Sequence, residues 1–184
     1  MSIKKPLGLG LVIGLLAMAF AALPAMASAA QLTDPAGSVE VGETITGESG
    51  NAVTTVPGVG ELRCVSVVVN GIVTKNSGGD VQVAMDGAGD TATGCTIAGK
   101  GTLVSPTLTS ISLSGATGSA VFDFTVATEK GPCPASSTSG VSWTSGTSSL
   151  HVEGPVLPGA EGCPGGLFHG DFTLSDANGA VTVD

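Results

Sequence analysis

Two polar side chains near the end of the chain have a spacing that could support catalysis. His169 and Asp171 are two residues apart, so on a β-strand they lie on the same face. An imidazole beside a carboxylate could form part of a nucleophilic relay or of a metal site. The chain lacks the G-x-S-x-G sequence of a hydrolase elbow and the H-E-x-x-H sequence of a zinc protease. We therefore interpret His169, Asp171 and the similarly placed His151 as solvated strand residues, and predict no catalytic residue, cofactor or enzyme activity.

Three aspartates surround a glycine-rich loop. Asp80, Asp86 and Asp90 flank the Gly87-Ala88-Gly89 segment, where carboxylate oxygens on a turn could bind calcium. The D-G-A-G-D spacing lacks the alternating ligands and the terminal glutamate of an EF-hand loop. We therefore interpret this segment as an acidic hairpin tip without a metal, with calcium binding as the alternative.

Four cysteines, Cys64, Cys95, Cys133 and Cys163, predict two disulfides in an exported protein. Four cysteines allow three connectivities, and the sequence alone does not choose among them. We favour Cys64 with Cys95 and Cys133 with Cys163, because each pair closes a loop of about 30 residues. A zinc site is disfavoured, because the close C-x-x-C or H-x-x-x-H pairs of such sites do not occur.

The apolar residues that must position these groups alternate with a period of two. Residues 120–126 place apolar side chains at every second position, as do Val65, Val67 and Val69, and Phe168, Phe172 and Leu174 share one face of their strand. No stretch after residue 29 carries the period of an amphipathic helix. The alternation predicts half-buried β-strands throughout.

Turn-forming pairs separate these strands about every ten residues. The pairs and triplets are Asn70-Gly71, Ser77-Gly78-Gly79, Asp86-Gly87, Ser114-Gly115 and Asn178-Gly179. Turns at this spacing predict an all-β fold, an antiparallel β-sandwich or barrel of about eight to ten strands stapled by disulfides.

Five large aromatic residues lie in the second half of the chain. We expect most of these rings to fill the core, with an apolar contact surface for a ligand as the alternative. The candidates are Phe122, Phe124, Trp143, Phe168 and Phe172.

The first 29 residues have the order of a secretory signal peptide. Lys4 and Lys5 precede an apolar stretch, 7–23, and the small residues 27–29 provide a cleavage site. We expect residues 30–184 to form a single exported β-domain, secreted, periplasmic or on the extracellular surface. This domain keeps four basic residues against 15 acidic ones, a formal net charge of −11. So acidic a protein is repelled by phosphate backbones, which excludes nucleic acid as a partner.

Short cysteine- and glycine-centred motifs resemble those of one known family, the Pra-type secreted proteins, which are protein activators of alkane oxidation. The similarity covers most of the chain after residue 29. The matching segments are Leu62-Arg63-Cys64, Val69-Asn70-Gly71, Thr93-Gly94-Cys95, Gly131-Pro132-Cys133-Pro134, Val141-Ser142-Trp143, Ser148-Ser149-Leu150, Leu157-Pro158-Gly159 before Cys163, and Gly170-Asp171-Phe172-Thr173.

The resemblance implies a non-catalytic exported protein that assists hydrocarbon use, by emulsifying or contacting the apolar phase or within a surface or biofilm layer. The implied partners are apolar hydrocarbon or cell-surface components. A structural or adhesive protein is the alternative, because residues 107–114 form a strand with few charges that could pair with another copy. An exported hydrolase ranks third, since the nucleophile motif is missing.

Overall fold

The computed structural model describes residues 29–184 except 86, 99, 102, 103, 116, 129, 130, 162 and 164. The expected leader lies outside the described residues apart from Ala29, its last residue. The described chain is built of antiparallel strands and contains no helix, and thus no helix suited to crossing a membrane. The all-β fold expected from the two-residue alternation is confirmed.

Seventeen strands occur in the described residues, and ten of them are four residues or longer, in agreement with the eight to ten expected. The strands are β1 (Leu32–Asp34), β2 (Gly37–Ser38), β3 (Thr44–Ser49), β4 (Val53–Val56), β5 (Gly60–Arg63), β6 (Ser66–Ser77), β7 (Asp80–Met85), β8 (Thr91–Thr93), β9 (Thr96–Ile97), β10 (Lys100–Gly101), β11 (Val104–Ser114), β12 (Thr117–Thr128), β13 (Gly131–Trp143), β14 (Ser149–Pro158), β15 (Gly166–Asp176), β16 (Gly179–Ala180) and β17 (Thr182–Val183).

Eight strands close into a barrel, in the order β3, β6, β7, β11, β12, β13, β14 and β15. The closing pair joins β15 to β3, with Leu174 opposite Gly47. Closure removes the free edges that an open sheet would expose. Barrel is therefore the correct choice between the two architectures that the sequence permits.

The long strand β15 has two partners along the same side. Its second half pairs with β3, whereas its first half, at Leu167–His169, pairs with β4. Strand β4 continues through β5 and β9 to β10, and these four strands form a side sheet. The barrel is therefore extended at one end by a second, smaller apolar layer around Leu62, Cys95 and Val104.

The alternating residues face the interior as predicted. Ala120 and Phe122 on β12 are buried while Asp123 is exposed, and Phe172 and Leu174 on β15 are buried as well. One apolar core cluster joins side chains from all eight barrel strands.

A short sheet of β17, β1 and β2 closes the other end of the barrel. Leu32 and Val183 pair across this sheet and are almost completely buried. The Asn76 side chain ties the sheet to the barrel, since its amide accepts from the Leu32 N–H at 2.7 Å and donates to the Leu32 and Val39 carbonyls at 2.8 Å. Strand edges that would otherwise lack partners are thereby satisfied.

Two details of the sequence interpretation are wrong. Asn70-Gly71 lies inside β6 and forms no turn. Glycine is required at 71 by close packing, because a Cβ there would meet Met85 Sδ and Val83 Cγ1. Val65, expected on the inner face, is 71% exposed because it lies in the bend before β6. The other described turns, at Gly78, Gly79, Gly115 and Gly179, have the expected positive φ.

Candidate functional site

An apolar cavity of about 50 Å³, which we call the middle cavity, lies where the side sheet leaves the barrel and is partly open to solvent. Thr54 and Asp123 are the two residues with polar side chains other than cysteine among those lining it. The full lining is Ala52, Thr54, Leu62, Cys64, Val67, Val69, Ala92, Val104, Pro106, Phe122, Asp123, Phe124, Phe168 and Phe172. Such an enclosure favours an apolar occupant.

Three phenylalanine rings pack together along one wall of the middle cavity. The Phe122 ring centroid lies 5.2 Å from that of Phe168 and 6.3 Å from that of Phe172. Gly170 makes room for the rings, since a Cβ there would lie 3.3 Å from Phe172 Cε2 and 3.5 Å from Phe168 Cζ. The first pair is tilted and the second is stacked, and ring pairs at these distances stabilise the packing beyond simple area burial.

The structure brings four of the five aromatic candidates to the middle cavity, with Phe124 as the fourth. Trp143 does not line it. This residue ends β13 opposite Leu150 and borders a shallow groove of about 300 Å³ with Ser142, Thr147 and His151. A change in tryptophan fluorescence therefore does not report directly on the middle cavity.

A gap in the hydrogen-bonded ladder lies beside the middle cavity, and we call it the seam. Strand β6 pairs with β7 from Gly71 onward but with β8 at Ser66–Val68. Strand β11 pairs with β7 only from Ser110 onward. Ala92 on β8 and Pro106 on β11 both line the cavity from opposite sides of this gap. In the described residues no ladder joins β8 to β11.

Asp90 occupies the base of the seam. The Asn70 N–H donates to Asp90 Oδ1 at 2.9 Å, and the Leu108 N–H donates to Asp90 Oδ2 at 3.3 Å. Both donors lie where their strands change or lose a neighbour. The carboxylate therefore replaces the missing strand as acceptor for two backbone groups.

The calcium alternative is not supported by the positions of these aspartates. Asp80 begins β7, at the opposite end of that strand from Asp90, and its carboxylate bonds Lys75 Nζ at 2.9 Å and the Ser114 hydroxyl at 2.8 Å. Asp86 lies outside the described residues. Among the described residues, no group of three or more histidines, cysteines or acidic residues is placed to hold a metal ion.

We expect Asp90→Ala to lower the free energy of unfolding by about 2 kcal/mol, because two partly buried N–H groups lose their acceptor. Denaturant unfolding measures this loss. Asp80→Ala is the matched control, since its carboxylate contacts the half-exposed Lys75 and the exposed Ser114 side chains in place of backbone N–H groups, and should lower the free energy of unfolding less. Equal losses in the two variants would contradict the role assigned to Asp90.

The structure assigns the carboxylate of Asp171 a different histidine from the one expected. His151 Nδ1 lies 2.7 Å from Asp171 Oδ1, and its Nε2 lies 3.7 Å from Glu153. Asn51 Nδ2 donates to Asp171 Oδ2 at 2.8 Å. His151 and Asp171 pair across β14 and β15, a contact that spacing along one strand does not reveal. The side chains of His151 and Asp171 are about half exposed, and within the described part of the chain no nucleophile is hydrogen-bonded to either.

The contact between His151 and Asp171 shifts the pKa values of both side chains. The hydrogen bond to the Asp171 carboxylate raises the pKa of His151, and the bond with His151, followed by that with Asn51, lowers the pKa of Asp171. The His151 contribution to stability is complete below the ordinary histidine pKa and is lost as the pH rises through the raised value. The Asp171 contribution is lost as the pH falls through its lowered value.

We expect Asp171→Asn to lower the pKa of His151 toward its ordinary value, because the charged acceptor is removed. A proton NMR titration of the His151 ring measures this. Glu153→Gln is the control and should lower that pKa less, since Glu153 is farther from the ring. An unchanged His151 pKa in Asp171→Asn would contradict the assignment.

His169→Ala should change the free energy of unfolding by no more than about 0.5 kcal/mol.

Both expected disulfides are present, Cys64–Cys95 and Cys133–Cys163, and no cysteine is free. Cys64 lines the middle cavity, and Cys133 lines a neighbouring one. Two such bridges indicate an oxidising environment, extracellular or periplasmic.

No known protein family, curated protein or solved structure matches the chain. Sequence reasoning selected the cavity phenylalanines but missed Leu62, Val67 and Ala92, which come from three other strands. The alternation of apolar and polar residues predicts that these side chains face inward. No local pattern predicts that they line the same cavity.

Proposed function

We propose that this is a non-enzymatic exported protein that assists hydrocarbon use by contacting apolar substrate at the cell surface. The observation that carries the proposal is the middle cavity, whose walls are apolar apart from Thr54 and Asp123. The resemblance to activators of alkane oxidation is the second support. The cavity provides the place at which an alkyl group leaves water.

The surface fits the same role. A formal net charge of −11 for residues 30–184 keeps protein molecules apart in solution. The disulfides support a location outside the cytoplasm, where bulk hydrocarbon is met. Export by the leader and an address in the medium or on the cell surface belong to this proposal.

The test is a substitution that fills the cavity. Ala92 lines it on β8, whereas Ala84 on β7 is exposed. In methyl NMR spectra, n-octane should shift the signals of Leu62, Val67 and Val69 in the natural protein and in Ala84→Leu. Ala92→Leu should abolish these shifts, because its side chain occupies the space. Absence of shifts in the natural protein, or shifts that survive Ala92→Leu, would overturn the proposal.

Emulsification supplies a functional measure for the same variants. With hexadecane, the natural protein and Ala84→Leu should form droplets of equal stability, and Ala92→Leu should form less stable ones. Equal droplet stability in all three would separate emulsification from the cavity and assign it to the outer surface.

Assembly is the second candidate function, favoured by two exposed side chains on neighbouring strands. Leu157 is 58% exposed on β14 and Leu167 is 43% exposed on β15. The expected route through the edge of residues 107–114 is wrong for its larger part, because Ser110–Ser114 pairs with both β7 and β12. Light scattering that grows with protein concentration, and that falls in a Leu157→Lys/Leu167→Lys variant, would favour assembly through this outer face.

A further inference from the structure

Three apolar cavities follow one another inside the molecule. The middle cavity lies between a barrel cavity of about 20 Å³ and an end cavity of about 40 Å³ in the side-sheet layer. The barrel and middle cavities share Val69, Phe122 and Phe172 as lining residues. The middle and end cavities share Thr54, Leu62 and Phe124. Neighbouring cavities are thus separated by a wall that is one side chain thick.

The row runs along β12. Phe122 stands in the first wall and Phe124 in the second, two residues apart on the same inward face of the strand. Successive inward residues of a strand are about 7 Å apart. The cavities therefore follow the strand axis, and the two rings divide what would otherwise be one narrow passage.

The shape of this passage selects its occupant. Each cavity is much smaller than the roughly 150 Å³ of an apolar cavity that admits benzene. A ring or a branched chain would have to displace several walls at once. An unbranched chain crosses one wall at a time, so fewer side chains must move to admit it.

The charges near the cavities also restrict the ligand. Asp123 borders the middle cavity, and none of the described residues that line the three cavities is a lysine, arginine or histidine. The whole chain is also strongly acidic. A carboxylate head group would meet one negative charge and no positive partner, so an uncharged chain is preferred.

We infer that the interior holds one unbranched, uncharged alkyl chain along β12, and that Phe124 sets the chain length accepted by the middle cavity. This inference rests on the proposed function and adds the ligand's shape, charge and length limit. Phe124 acts as the end wall, and turning or removing its ring joins the middle and end cavities.

The experiment measures the affinity of a series of primary alcohols, from 1-propanol to 1-dodecanol, by calorimetry. In the natural protein each added methylene should tighten binding about fourfold, equivalent to about 0.8 kcal/mol, until the chain end meets Phe124. Beyond that length the affinity should stop rising. Phe124→Ala should move this limit to a longer alcohol. Phe168→Ala is the matched control, because Phe168 lines only the middle cavity.

The outcomes distinguish the two proposals. Lack of binding by any alcohol in the natural protein would overturn the proposed function itself. Binding with the same length limit in Phe124→Ala and Phe168→Ala would overturn the length limit alone. Decanoate that binds as tightly as 1-decanol would overturn the preference for an uncharged chain. If Phe124→Ala does not fold, Phe124→Leu replaces it, and 1-decanol should then shift the Ile97 methyl signals of the end cavity only in that variant.

Discussion

Replacing Phe172 with alanine should lower the free energy of unfolding by about 3–5 kcal/mol. The side chain is 4% exposed and packs against Phe122 and Phe168 beside two cavities. Truncation removes the buried ring and joins empty space to cavities that are already present, so the surroundings have little means of closing the gap. Denaturant unfolding monitored by circular dichroism gives the free energy.

Leu167→Ala is the control for this prediction. Leu167 lies on the same strand but points outward and is 43% exposed, so its truncation should cost less than about 1 kcal/mol. A loss below about 2 kcal/mol in Phe172→Ala would show that the aromatic group is not a central part of the core.

Removing the Cys64–Cys95 disulfide should lower the free energy of unfolding by about 3–4 kcal/mol, because the bridge closes a loop of about 30 residues in the unfolded chain. The double variant Cys64→Ser/Cys95→Ser avoids a leftover thiol that could mispair. Cys64 also lines the middle cavity, so this variant should weaken alkyl-chain binding in addition.

The Cys133→Ser/Cys163→Ser variant is the control of equal loop length. Its loss of stability should be similar, but binding in the middle cavity should change less, because Cys133 lines only the end cavity. Thiol titration of the denatured, unreduced natural protein should find no free thiol. Two or more reactive thiols per chain, or a stability loss below about 1 kcal/mol in both variants, would contradict the role of the bridges.

The strands and disulfides could be predicted because their signals are local. Apolar side chains at every second position from Ala120 to Val126 predict one inward face whatever the neighbouring strands are, and the structure buries Ala120 and Phe122 on it and half-buries Phe124 and Val126. The cysteine pairing was predicted from loop length, because each favoured pair closes a loop of about 30 residues. The turn predicted at Asn70-Gly71 is wrong, because glycine also occurs where strands pack closely. Whether Gly71 forms a turn or allows close packing is clear only from the position of Met85.

An all-β chain and most of its inward and outward faces thus follow from the sequence alone, which also favours, without deciding, the two bridges that are present. The pairing of β15 with β3, which closes the barrel, and the separation of β6 and β11 at Asp90, which leaves the seam, are seen only in the folded chain. The same holds for the four phenylalanines that meet at the middle cavity while Trp143 lies elsewhere. The physical reason is that side-chain direction is fixed by neighbours along one strand, whereas cavities and cross-strand partners depend on register between residues far apart in the chain.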